Sequence, residues 1–375
     1  MSADISADTS ADTSAYAGPI LDAHVHLWNP RTTPRLVSPL VKLLGFSPRL
    51  LHWATHRAFP ANALHFVGSP RYALASYLED SWAADAPRAS GFVHIEAGWK
   101  PSRLSLAGKG SRPEETPRET AWLESTCGPR LKAIVGHASL RHPNLAATLD
   151  AHARASQRFV GVRDKLAYSE ARTVMNWSAG PNVMDDPAWQ RGYALLGERG
   201  LTFDAWCYGH QLPSLAELFA AHPKTRAVLD HLGTPIGAGG RFAQVVDSES
   251  ARERAFKAWE HDLLRIAESP HVSAKISGLT MPIVGFGFHQ RAAEVGVSEL
   301  VDRIGPFVEV ALRAFTPKRC FFASNFPMDK VSTPWLTLFA AYEQLTRHLG
   351  VETQRDLFER NALRFYLGAR DEAGT

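Results

Sequence analysis

Cysteine is scarce in this sequence. Cys127, Cys207 and Cys320 are the only three, and no two of them form a CxxC pair. An odd number of scattered thiols builds no disulfide framework and points to a reducing, cytoplasmic compartment. Long apolar runs are also missing: no stretch of about 18 apolar residues occurs, so no membrane span is expected. Blocks of like charge are absent, and the formal net charge is only +3. That balance is compatible with a small anionic substrate and too weak to argue for nucleic acid. There is no GxSxG nucleophile elbow, no Walker A loop and no GxGxxG after a strand. Gly237-Ala238-Gly239-Gly240 is flexible, but no Lys-Ser/Thr follows it, so it reads as a loop. Residues 1–18 lack the basic and apolar regions of a secretory signal. Their small polar ADTS repeat cannot bury enough surface to fold, which makes them a disordered leader to one domain over 19–375.

What is present is an ordinary globular composition, with 45% hydrophobic and 21% charged residues. Short apolar runs recur at 19–23, 92–95, 132–136, 159–162, 201–205, 226–229, 272–276 and 320–323. They are too apolar to be half exposed, as expected of strands buried on both faces of a parallel sheet. Helical patterns lie between and after them at 144–156, 186–199, 212–221, 251–267, 298–315, 335–349 and 353–366. Eight strands alternating with helices predict an α/β fold, a (β/α)8 TIM barrel, with a doubly wound sheet as the alternative. Two connections are long enough to be insertions. The one after strand 1, 27–90, carries Trp28, Phe46, Trp53, Phe59, Phe66 and Trp82 with Arg49, His52, His56 and Arg57. The one after strand 4, 164–185, carries Tyr168 and Trp177. Such loops serve either as lids or as padding of the barrel surface.

The sharpest motif is Asp22-Ala23-His24-Val25-His26 at the end of the first strand. Residues two apart on a strand project the same way, so His24 and His26 share the barrel mouth. Two imidazoles there bind a metal or polarise a carbonyl. His231 ends the sixth strand, and alternation turns its neighbour Asp230 away into a structural role. Arg163 ends the fourth strand, where a guanidinium suits bidentate capture of a substrate carboxylate or an internal salt bridge. Glu96 and Lys275 are either a buried pair or substrate contacts, and Tyr208 and His210 follow the fifth strand. On the eighth strand Asn325 stands four residues before Asp329. An amide neither accepts a proton near neutral pH nor binds metal as a carboxylate does. Asp329 is then the candidate base, or it pairs with Lys330 or caps a helix.

These stretches, in this order, resemble the amidohydrolase-related (amidohydrolase 2) family of the amidohydrolase superfamily over about residues 19–368. The resemblance rests on DAHVHLW from Asp22, His94-Ile95-Glu96-Ala97-Gly98-Trp99, Gly161-Val162-Arg163, Asp230-His231-Leu232-Gly233, Lys275-Ile276-Ser277-Gly278 and Ser324-Asn325-Phe326-Pro327. It implies a TIM barrel and a lactonase-like hydrolase, similar to sugar lactonases and 2-pyrone-4,6-dicarboxylate lactonase, opening the C–O bond of a small carboxylated lactone. A non-oxidative decarboxylase or a non-catalytic ligand-binding barrel are the rival readings. His24, His26 and His231 are then the polarising or metal-binding set and Asp329 the base. Arg163, Lys275, Asn325, Glu96 and Tyr208 are the expected substrate contacts. The family usually has Asp where this chain has Asn325, so a divalent metal, zinc or manganese, is expected to bind weakly, and the chemistry is compatible with metal independence. The expected partner is a small, anionic molecule, with no nucleic acid and no membrane; a homo-oligomer is compatible with the sequence.

Overall fold

The computed structural model describes residues 16–29, 71–99, 115–242 and 245–368, with Ser47 and Leu50 between them. Most of the leader and the aromatic and basic residues expected at 46–66 lie outside the described residues.

Eight parallel strands follow one another around a barrel in chain order. They are β1 (Ile20–Val25), β2 (Ala89–Ile95), β3 (Leu131–Gly136), β4 (Phe159–Val162), β5 (Thr202–Ala205), β6 (Ala227–Leu229), β7 (Val272–Ile276) and β8 (Cys320–Phe322). The ring closes just past β8. Val25 bridges Phe326 in parallel, and the His26 N–H donates to the Phe326 carbonyl at 2.8 Å. The doubly wound alternative, an open sheet, is thereby set aside.

Each strand is followed by a helix. These are α1 (Leu74–Asp80), α2 (Pro117–Thr126), α3 (Leu145–Ala155), α4 (Pro187–Glu198), α5 (Leu212–Ala221), α6 (Glu249–Ala267), α7 (Val297–Phe315) and α8 (Trp335–Thr346). The expected helix starts hold where a cap is legible: Asp186 accepts from the Ala188 N–H at 2.8 Å just before α4. The sequence pattern misses α1, α2 and the short hairpin of Trp82–Ala83 with Ala86–Pro87. These elements are too short, or too weakly amphipathic, to show a period.

The barrel interior is filled from strand residues such as Leu21, Ala23, Val93, Ile95, Ala133, Val135, Val228, Phe321 and Ala323. Its floor is sealed by the last helical segment, α9 (Asn361–Leu367), whose Ala362, Phe365 and Tyr366 join the same cluster. Apolar filling below leaves the strand ends opposite the floor as the place for polar chemistry.

Candidate active site

The site begins on β1, where the pairing with β2 shifts register between Asp22 and Val25. A shift there lets Ala23 fill the barrel while His24 and His26 also turn inward. The two rings meet edge to face, with their Nε2 atoms 3.1 Å apart. His26 Nδ1 lies 2.8 Å from the Ile95 carbonyl. The His231 ring centroid is 4.5 Å from that of His24, so the expected trio shares one small volume.

His231 reaches that volume through an unusual turn. His231, Leu232, Gly233 and Thr234 all have positive φ, at 56°, 51°, 71° and 38°. A left-handed turn right after β6 breaks the two-residue alternation, so Asp230 and His231 both face inward. This corrects the expectation that Asp230 turns away. Three non-glycine residues in that region carry strain that the surrounding packing must hold. Gly278 is part of that packing: a Cβ there would lie 2.6 Å from His231 Cγ. Ser277 Oγ, 2.9 Å from His231 Nδ1, orients the ring.

Ion pairs knit the floor of the site. Lys275, fully buried on β7, lies 2.6 Å from Asp204 Oδ2, 2.9 Å from Asp230 Oδ1 and 3.3 Å from His24 Nδ1. The Tyr366 hydroxyl rises from α9 to donate to Asp204 Oδ2 at 2.7 Å. Asp204 and Tyr366 were not singled out from sequence; only the closed barrel brings the middle of β5 and the last helix together. Asp230 also faces His24 Nδ1 at 3.5 Å and Arg163 Nη1 at 3.8 Å, yet neither of its oxygens accepts a directed hydrogen bond. The Lys275 contact is close in distance but is an ion pair rather than a directed hydrogen bond.

Arg163 is an internal partner. Its Nε donates to Glu96 Oε1 and its Nη2 to the Glu96 carbonyl, both at 2.9 Å. That occupies the planar fork, so the bidentate capture of a substrate carboxylate expected from sequence is not open to it. Nη1 remains, 3.4 Å from His24 Nε2. Lys165 completes the cluster at 3.0 Å from Glu96. The Glu96–Lys275 pair is not formed, because each has a nearer partner of opposite charge.

Electrostatics follow the packing. Burial pushes His24 and His26 well below the usual imidazole value, and His94 and His231 down to about 3, so these rings are neutral. Burial raises Glu96, but Lys165 and Arg163 outweigh it and hold the carboxyl well below its usual range. Two carboxylates share Lys275. Burial pushes Asp204 up to about 6, while at Asp230 the ammonium overcomes burial and holds the group ionised.

The remaining expected residues stand further out. Asp329 is fully buried and accepts from Thr280 N–H at 2.9 Å and from Asn325 Nδ2 at 2.6 Å, with the Thr280 hydroxyl as a further donor. Its hydrogen bonds run to the loops after β7 and β8. Lys330 pairs with Asp80 instead of Asp329. Tyr208 donates to the Met175 carbonyl at 2.6 Å and anchors the loop after β4. His210 is exposed on the turn Gly209–Gln211 and does not join the cluster. Sequence reasoning passed over Trp206, the residue after β5. Its ring lies 5.5 Å from the Arg163 guanidinium, 5.4 Å from Trp177 and 6.3 Å from His231.

The family model described as amidohydrolase matches residues 21–367, nearly the whole chain. The chain belongs to the amidohydrolase family. An uncharacterised protein of Sinorhizobium fredii is 28% identical over 352 residues, 92% of this chain and 98% of its own length. L-fucono-1,5-lactonase of Burkholderia multivorans is 28% identical over 250 residues, 65% of this chain and 73% of that enzyme. Among solved structures, an amidohydrolase from Burkholderia multivorans with bound HEPES aligns with TM-score 0.62 at 22% identity, covering 93% of this chain and 99% of that one. A second crystal form with bound zinc aligns with TM-score 0.61 at 21% identity and the same coverage. A putative 2-pyrone-4,6-dicarboxylic acid hydrolase from Pseudomonas putida aligns with TM-score 0.57 at 16% identity, covering 94% and 98%. This amidohydrolase is accordingly a hydrolase with lactonase-like relatives, on a TIM barrel.

The histidine cluster offers donors for a divalent metal. Among the described residues, the group close enough to be considered is His24, Asp230 and His231, with Asp230 in place of His26. Its donor atoms all lie within 4.8 Å of one another. Lys275 already stands as a cation against both Asp230 and His24. The eighth-strand residue is an amide whose Nδ2 is committed to Asp329. With the Lys275 ammonium against two of the three donors, these residues do not fit a divalent ion. No helix among the described residues is long and apolar enough to cross a membrane.

Proposed function

We propose that this amidohydrolase opens a small ring lactone. The observation that carries the reading is Asp230: a buried, ionised carboxylate with no directed donor, beside neutral imidazoles and the free edge of Arg163. In this reading His24 and His231, with Arg163 Nη1, polarise the carbonyl and stabilise the oxyanion, and His26 holds His24 in place. Asp230 takes a proton from water as its oxygen adds to the carbonyl carbon. The ring C–O bond then breaks, and that proton passes to the leaving alkoxide. The products are a hydroxyl and a carboxylic acid, which ionises in solution.

The substrate class follows from charge and shape. Arg163, Lys165 and Lys275 are matched by Glu96, Asp204 and Asp230, so these residues supply no surplus positive charge. That shifts the reading from a carboxylated lactone toward a neutral one. Trp206, half-buried beside His231 and Arg163, offers an indole surface for the C–H face of a sugar-type ring. The relative named as an L-fucono-1,5-lactonase supports the same class. The test is kcat/KM on neutral sugar lactones, carboxylated lactones and their methyl esters. Hydrolysis of neutral lactones at least as fast as the acids is expected. Activity confined to carboxylated substrates overturns the substrate class, and release of carbon dioxide without lactone opening overturns the reaction.

A further inference from the structure

Lys275 is a cation with no exposure, set in the middle of a hydrolytic site. Its ammonium has only protons to offer. Two of its contacts are directed hydrogen bonds, to Asp204 Oδ2 at 2.6 Å and to His24 Nδ1 at 3.3 Å. His24 Nδ1 must therefore be the bare nitrogen, and in a neutral ring the proton then sits on Nε2.

The other side of the ring favours the same form. The Ile95 carbonyl only accepts, so His26, 2.8 Å away through Nδ1, carries its proton there. His26 Nε2 is then a lone pair, facing His24 Nε2 at 3.1 Å. One proton must lie between them, and only His24 can supply it. The opposite tautomer would set N–H against N–H at Lys275 and lone pair against lone pair at His26. The Arg163 Nη1 contact to His24 Nε2, at 3.4 Å, is the longest in the set and yields to the other two, since Arg163 is satisfied by Glu96.

We infer that Lys275 is a positioning residue which locks His24 in its Nε2–H form and, as a built-in cation, keeps a divalent metal off the histidines. His24 then acts toward the site as a hydrogen-bond donor. When a carbonyl oxygen enters, the Nε2–H turns from His26 to that oxygen, and His24 supplies polarisation rather than ligation. A metal would demand the reverse, a bare Nε2 with Nδ1–H directed at Asp230, 3.5 Å away. The assignment concerns the resting protein and stands apart from which lactone, if any, is cleaved.

The experiment is histidine-selective ¹⁵N labelling of the full chain, with long-range ¹H–¹⁵N correlation and assignment by loss of the His24 signals in His24→Gln. Wild type is expected to show His24 protonated at Nε2 and bare at Nδ1. In Lys275→Met, with the ammonium gone and Asp230 left to accept from Nδ1 in competition with His26, that pattern is expected to move toward Nδ1–H. Zinc titrated calorimetrically into the metal-free proteins should bind Lys275→Met at least about tenfold more tightly than wild type, because a unit charge at contact distance is removed. If Lys275→Met fails to fold, Lys275→Met/Asp204→Asn keeps the local charge sum and serves for the nitrogen pattern, and Lys275→Gln serves for the zinc titration. A wild-type His24 protonated at Nδ1 overturns the inference, and so does a tautomer unchanged by loss of Lys275. Equal zinc affinity in wild type and variant overturns the built-in cation. A protein that opens no lactone, yet shows the expected nitrogen pattern, overturns the functional reading alone.

Discussion

Asp22 and Asp230 are both aspartates with no solvent exposure, one on β1 and one just past β6, and they are held in opposite ways. Asp22 looks outward from the barrel. Its Oδ1 accepts from the Ser324 N–H at 2.8 Å and the His24 N–H at 3.4 Å. Its Oδ2 accepts from the Trp335 indole at 2.9 Å and the Tyr77 hydroxyl at 3.1 Å. It ties β1 to β8, α1 and α8. Asp230 looks inward, accepts no directed hydrogen bond and is balanced by nearby positive charge alone. Burial raises the Asp22 carboxyl despite its donors, whereas Lys275 holds Asp230 well below the usual range. A carboxylate with every lone pair used is a structural rivet. One kept ionised with its lone pairs unused retains the capacity to accept a proton from water.

The contrast breaks or holds on substitution. The largest effect is expected from Asp230→Asn, which keeps the shape and removes the acceptor: a loss of about 10²- to 10⁴-fold in kcat/KM of the folded protein, with some loss of stability because Lys275 gives up one of its two carboxylates. Near-wild-type turnover would place the base elsewhere. Asp22→Ala should do the reverse. It strands buried donors on Ser324, Tyr77 and Trp335, each worth about 1–3 kcal/mol, so urea unfolding should show a loss of about 3 kcal/mol or more while folded molecules keep their turnover. Stability equal to wild type would remove the distinction between the two aspartates.

Smaller effects sharpen it. Arg163→Lys gives up the planar fork on Glu96 and should cost about 1–3 kcal/mol of stability. Because that fork is internal, the ratio of rates on a carboxylated lactone and its methyl ester should stay the same. A changed ratio would return Arg163 to the role of a carboxylate binder. Asp329→Asn is the mildest. Burial pushes Asp329 from 3.8 up to about 7, so the fold favours its protonated form. That contribution is present below the ordinary carboxylate value and is lost as pH rises through about 7. The variant should therefore gain on wild type between pH 5.5 and 8.5 in paired thermal melts, and it should keep its turnover. A hundredfold loss of turnover would instead restore Asp329 as the base.

Much of this could be read from the chain. Strands buried on both faces must be apolar, so their runs stand out against the helices, and their number is the barrel's number. His24 and His26 follow from the two-residue period of β1, which a register shift upstream leaves intact between them. Three things were decided only in three dimensions. The backbone at His231 leaves the strand for left-handed conformations, and that alone turns Asp230 into the site. Asp204, Lys275 and Tyr366 come from β5, β7 and α9, and nothing local marks them as neighbours. Arg163 and Asp329 sit where sequence expected substrate and water, but nearby protein groups take their hydrogen bonds first. Periodicity is a property of a segment and survives in sequence. Which charge meets which depends on the closure of the barrel, and that is set by contacts between residues far apart in the chain.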